Sequence, residues 1–247
     1  MKALANIYTI SKREMAGYFA SPVAYVFIII FLVLTGFFTF NVSRFFATNE
    51  ASLASFFVWH PWLYLFLVPA VGMRLWSEER RSGTIELLLT TPITPFQAIV
   101  GKFLAAWVFL GLALVLTFPI VITVNYLGNP DNGVILTGYV GSLFVAGTYL
   151  AVSNLTSAMT RNQVVAFITA VVMCMFLVLA GYPPVTGMLS SWAPAAVVDA
   201  VANFSVMPHF EGLQRGVVDS RDLIYFISVM IFALFATGVV LRSRRGA

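Results

Sequence analysis

The sequence predicts an all-α polytopic membrane protein, and three observations carry that prediction. Hydrophobic residues make up 60% of the 247 and charged residues only 10%, with a mean hydropathy of +0.92, whereas about a quarter of a soluble chain is charged. Six apolar runs, at 23–40, 56–73, 103–126, 134–158, 164–181 and 223–241, each approach the ~20 residues that cross a hydrocarbon core of about 30 Å. These runs are continuous rather than alternating, and backbone in lipid must satisfy its own hydrogen bonds, so helices are expected and membrane strands are not.

Ahead of the first run, residues 1–21 carry Lys2, Lys12, Arg13 and Glu14, and no small-residue cleavage pattern follows the run. The first span is therefore expected to be kept rather than removed as a signal. Leu4, Ile7, Tyr8, Met15, Tyr18 and Phe19 alternate with the charges as in an interfacial helix, lying flat until Ser21-Pro22 turns the chain inward. His60, with Trp59, Pro61 and Trp62, forms an aromatic group of the kind found at the outer interface. Pro69 and Pro119 interrupt the second and third spans, either kinking helices that move or bending them to pack. On the fourth span Gly138, Ser142 and Ala146 make a small-residue face, expected to serve packing within the chain. The one cysteine, Cys174, lies between Met173 and Met175 in the fifth span, so an intramolecular disulfide and a cysteine metal cluster are both excluded.

Residues 182–221 are too long for a turn and too broken for a span, with Pro183, Pro184, Pro194 and Pro208 among them. An apolar stretch at 194–207, interrupted by Asp199, predicts a short re-entrant or interfacial helix. It either rims the outer end of a translocation path or caps the surface. His209 and Glu211 are candidates for contact with an external partner.

With an even number of spans the termini share a side. Placing both in the cytoplasm leaves eleven of the 14 basic residues inside and only Arg44, Arg215 and Arg221 outside, as the positive-inside bias requires. The net charge of +4 then expresses topology, and no soluble basic face points to nucleic acid. The fourth, fifth and sixth runs contain no Asp, Glu, His, Lys or Arg. That argues against ion-driven transport and against an intramembrane enzyme, as does the lack of a His-Glu-x-x-His pattern. The pair Gly101-Lys102 is followed by Phe103, and Phe96 stands where a phosphate loop needs glycine, so the chain holds no ATP site of that type. Lys102 instead reads as a cation at the inner membrane edge whose stem reaches to water.

The most informative stretch is a charged island at 76–96 between the second and third runs. Gly83 can serve as the N-cap of a short helix, Glu86 falls in its first turn near the positive dipole end, and Pro92 stops it. Ile85, Leu88 and Leu89 form an apolar ridge on one side. Thr94-Pro95-Phe96-Gln97 then reads as a capping box with proline at the first helical position. Upstream, 74–81 continues the second span, with Trp76 suited to the interface and Glu78, Glu79, Arg80 and Arg81 in solvent. Such an island is either a handle for moving the neighbouring spans or a loop whose charges enforce topology.

The run 79–94, with Glu79, Gly83, Thr84, Ile85, Glu86 and Pro92 in place and Gly101-Lys102-Phe103 behind it, resembles the cytoplasmic motif of ABC-2 type transporter permeases. The segment 207–219 is similar to the branch associated with gliding motility (GldF-like). The resemblance implies one transmembrane permease domain over 1–247, with six helices of the ABC-2 (type V exporter-like) fold, an N-terminal interfacial helix, a coupling helix and an outer re-entrant segment. It implies that Glu79, Gly83, Thr84, Ile85, Glu86, Leu88, Leu89 and Pro92 meet an ATP-binding subunit, present in two copies, which binds ATP and Mg. The permease itself would hold no cofactor and no catalytic residue. A second permease chain would complete a homodimer through the first and fifth spans, in a bacterial inner membrane with both termini cytoplasmic. Two functions follow: ATP-driven export or movement across that membrane, or mechanotransmission to an accessory subunit with an extracytoplasmic domain.

Overall fold

The computed structural model describes residues 2–47, 50–84 and 93–243, and every regular element among them is a helix. In chain order the first seven are α1 (Lys2–Ala20), α2 (Pro22–Phe37), α3 (Ala54–Phe57), α4 (His60–Gly72), α5 (Arg74–Ser82), α6 (Pro95–Val115) and α7 (Pro119–Leu127). After them come α8 (Asn132–Met159), α9 (Gln163–Leu179), α10 (Pro183–Ser190), α11 (Ala195–Asn203), α12 (Val206–Gln214) and α13 (Ser220–Ser243). A π-helical turn at Phe38–Val42 extends α2.

Five stretches are long and apolar enough to cross a membrane: Pro22–Ala47, Ala54–Ser82, Pro95–Leu127, Asn132–Met159 and Ser220–Ser243. A sixth crossing exists if α9 and α10, which meet at 69°, count as one broken span. The expected run 164–181 is thus shortened to the 17 residues of α9, because Pro183 and Pro184 open a new helix in a new direction. The chain is a multi-pass helical membrane protein.

At Ser21-Pro22 the chain turns as expected: the Ser21 hydroxyl accepts from the Val23 N–H and Pro22 occupies the first position of α2. What differs is the setting of α1. A helix lying flat across a span touches it at one crossing, but α1 follows α6 through about three turns. Asn6 donates to Gln97 at 3.1 Å, Ile10 fills the space beside Gly101, Glu14 reaches Lys102, and Tyr18 stacks on Phe109 with ring centres 5.1 Å apart. The two helices run side by side in the same direction, with Leu4 and Tyr8 on the exposed face of α1.

The central post is α8, on which α4, α5, α6, α9, α12 and α13 all pack. Residues 145–154 are buried all round, the pattern of a helix enclosed by others. Its small-residue face is used within the chain, as expected: a Cβ on Gly138 would fall 2.5 Å from the Phe57 ring, and Ser142 and Ala146 are buried. His60 sits within the aromatic group the sequence expects there. It is fully buried, caged by Phe31, Phe56, Phe57 and Tyr64, because α3 folds back and covers the start of α4. Pro119 breaks the third span by opening α7, and the Thr117 hydroxyl at the break donates to the Leu114 carbonyl.

The 182–221 segment folds as three short helices rather than one centred on 194–207. The break falls at Ser205, whose side chain caps α12 at the Met207 N–H and lies 2.9 and 3.1 Å from the Leu177 and Val178 carbonyls at the end of α9. Val206, Phe210 and Leu213 are buried in α12, which packs on α8, whereas α10 and α11 bury no residue.

Candidate functional site: the foot of the charged island

α5 carries the first half of the island. Leu75, Trp76 and Ser77 are buried, and the helix ends at Gly83 with φ +73°, a left-handed conformation that glycine adopts without a Cβ penalty. Gly83 therefore terminates α5, and Thr84 directly after it is helical again; the remainder of the short helix that the sequence expects Gly83 to cap lies outside the described residues. Arg80 and Arg81 in its last turn sit at the negative end of the helix dipole.

The joint between α4 and α5 is made by a side chain from another span. The Ser157 hydroxyl of α8 accepts from the N–H groups of Trp76 (3.0 Å) and Ser77 (3.1 Å) and donates to the Met73 carbonyl (2.8 Å). One donor and two acceptor sites are thereby filled. Insertion of a side chain into a helical ladder is one of the recognised causes of a helix break. Next to it the Trp76 indole donates to the Asn154 amide oxygen at 2.5 Å, and the Arg80 guanidinium donates to the Ala158 carbonyl. Trp76 is 1% exposed. The solvated position expected for Arg80 is replaced by a contact with α8, and Trp76, near the end of its span, is packed against the same helix.

On the opposite side of α5, Lys102 of α6 is buried between two carboxylates, Glu79 at 2.7 Å and Glu14 of α1 at 3.3 Å, with its ammonium 5.4 Å from the centre of the Trp76 ring. This corrects two expectations: Lys102 does not reach out to water, and Glu79 does not stand free in it. A buried ammonium persists only where carboxylates and an aromatic face replace its hydration. The Tyr18 phenol beside the group has its pKa raised above the ordinary value, first by burial and then by the Glu14 charge.

The start of α6 is fixed by the predicted capping box: the Thr94 hydroxyl accepts from the Gln97 N–H at 3.3 Å, and the Gln97 amide oxygen accepts from the Thr94 N–H at 3.2 Å. The same amide oxygen accepts from Asn6. Four helices, α1, α5, α6 and α8, thus converge at the two ends of the island.

Of the predicted contact residues, Glu79, Gly83 and Thr84 lie within or beside α5, with the Thr84 hydroxyl 2.9 Å from that of Ser82. Ile85, Glu86, Leu88, Leu89 and Pro92 lie outside the described residues. The other predicted pair sits at the far end of the molecule. His209 is turned into the chain, with Nδ1 2.7 Å from Asp222, Nε2 3.1 Å from the Asn203 carbonyl and its ring stacked on Tyr225. Glu211 faces solvent beside Arg215. Sequence reasoning missed Glu14, Asn154 and Ser157. The signal available was the polar group Ser153, Asn154, Thr156 and Ser157 at one end of an otherwise apolar run.

Among the described residues of this constellation no nucleophile is paired with a base; what its contacts do is tie α5 to α1, α6 and α8. The family model for the ABC-2 family transporter protein matches residues 66–197, just over half of the chain, from within α4 to α11 and so across the joint apart from its α1 residues. Among curated proteins, none matches the chain.

Proposed function

Because the chain belongs to the ABC-2 transporter family, it is the membrane permease component of an ABC transporter, and we propose that its α5 joint receives force from a separate ATP-binding subunit. In this reading two ATP-binding subunits hold ATP and Mg, two permease copies pair, and the island lies on the cytoplasmic face of a bacterial inner membrane. The observation that carries it is that α5, which leads into 85–92, is attached to both flanks of the bundle, to α8 through Ser157 and to α1 and α6 through Lys102. A displacement of the island then reaches three further helices without passing through a loose loop. The apolar ridge of Ile85, Leu88 and Leu89 is the docking surface. Leu88→Asp is expected to leave membrane insertion intact while abolishing both copurification with the ATP-binding subunit and its coupled hydrolysis. Unchanged coupled activity would overturn the reading.

A second reading, mechanotransmission to an extracytoplasmic accessory subunit, is favoured by α10 and α11. They bury no residue in the chain and leave Met188 and Val197 exposed, as is Trp192 in the link between them. A photo-crosslinker at Trp192 or Glu211 that captures a membrane-anchored partner, with no solute moved by reconstituted vesicles, selects this reading over export. Capture of no partner and ATP-dependent solute movement selects the first.

A further inference from the structure

A cleft of about 570 Å³ lies in the elbow between α1 and α2, backed by α4, α5 and α6. That volume falls within the ~300–1,000 Å³ of sites that enclose small ligands. Its two ends differ sharply. Along α2 and α4 it is lined by Val26, Phe27, Ile30, Leu67 and Val71, of which Val26 and Ile30 are exposed by 53% and 43%. At the α5 end it is lined by charged groups.

Those charges sort into two kinds. Glu14, Glu79 and Lys102 are committed to one another. Arg74 and Glu78 are exposed and have no ion pair or side-chain hydrogen bond among the described residues. They stand four residues apart on α5, positions that face each other on a helix, yet they remain apart. Among the described residues the cleft therefore offers one free cation and one free anion at its polar mouth and a long apolar groove below. A wholly anionic ligand would meet the Glu78 charge, and a wholly apolar one would leave both charges unanswered. A zwitterion with a tail answers all three features.

We propose that this cleft holds one phospholipid with a phosphoethanolamine headgroup, drawn from the leaflet on the α5 side, with its phosphate on Arg74, its ammonium on Glu78 and an acyl chain between α2 and α4. The primary ammonium donates hydrogen bonds to the carboxylate, which a trimethylammonium group cannot do. The guanidinium matches a phosphate in fork geometry. The inference is independent of nucleotide coupling and of which face α5 occupies.

The test uses the full chain in micelles doped with equal amounts of phosphatidylethanolamine, phosphatidylcholine and phosphatidylglycerol of matched acyl chains, followed by native mass spectrometry. Wild type is expected to retain phosphatidylethanolamine about threefold over the other two, the size of one exposed ion pair. Glu78→Gln should reduce it to the level of phosphatidylcholine, and Arg74→Ala should lower all three lipids. Gly17 lines the cleft and a Cβ added there meets nothing within 4 Å, so a Gly17→Phe ring is expected to enter the cleft and displace the lipid, with thermal unfolding checking that the variant folds. Equal retention of the three lipids by wild type, preference for phosphatidylglycerol, or full retention by Gly17→Phe would each overturn the proposal. So would a disulfide between Val26→Cys copies in a lipid-free species, which would place a second chain in the cleft.

Discussion

The Nζ of Lys102 lies 2.7 Å from Oε1 of Glu79, joining the third span to the helix that opens the charged island. The contact is buried on the lysine side, and Glu14 completes it from α1. Two carboxylates around one ammonium leave the group with a net negative charge, so the lysine is the member it can least spare.

Lys102→Met is expected to destabilise the folded chain by about 3–5 kcal/mol, the cost of leaving a buried charge without its partner. Removing all three charges together, with Lys102→Met, Glu14→Gln and Glu79→Gln, should recover most of that loss. Scanning fluorimetry in detergent compares the two, and a triple variant no more stable than the single one counts against a paired group.

Gly83→Ala is expected to cost about 1–2 kcal/mol, because φ +73° crowds a Cβ against the carbonyl. Gly83→Asn should lose less, since asparagine tolerates the left-handed region. The order of the thermal midpoints, glycine above asparagine above alanine, is the readout.

Ser205→Ala removes the cap of α12 and the contacts to the Leu177 and Val178 carbonyls, with an expected loss of about 1–2 kcal/mol. The segment containing α10 and α11 should then be nicked faster by limited proteolysis. An unchanged nicking rate would mean that the segment is held elsewhere.

At Gly72 an added Cβ would stand 2.3 Å from the Cβ of Ser153, so α4 and α8 must part to admit it. Gly72→Ala is expected to destabilise by about 1–3 kcal/mol, whereas Gly17→Ala, with open space around it, should stabilise by up to ~1 kcal/mol through helix propensity. Opposite shifts in thermal midpoint test the assignment of α8 as the packing post.

The spans were legible because the bilayer imposes length and apolarity on contiguous residues, and the cap at Thr94 was legible because all its parts lie within four positions. The small face of α8 was readable for the same reason. The setting of α1 was not, since its alignment with α6 depends on pairs such as Asn6 and Gln97 that are 91 residues apart. Lys102 misled in an instructive way: a lysine near a membrane edge has water within reach of its stem, and only the arrival of Glu14 and Glu79 makes burial the better choice. The polar group around Ser157 marked that end of the span but not its partner, because a serine in a span commonly bonds its own preceding turn, as Ser153 does with the Tyr149 carbonyl.

That hydroxyl has a consequence for how the membrane part can move. It services three backbone groups of the second span at once, two N–H groups and a carbonyl, and lipid supplies no replacement for any of them. Prising α5 from α8 would strand the Trp76 and Ser77 N–H groups in the same instant, leaving only the Met73 carbonyl with a second donor, the Ser77 hydroxyl, so this single side chain resists any parting of the second and fourth spans at that end.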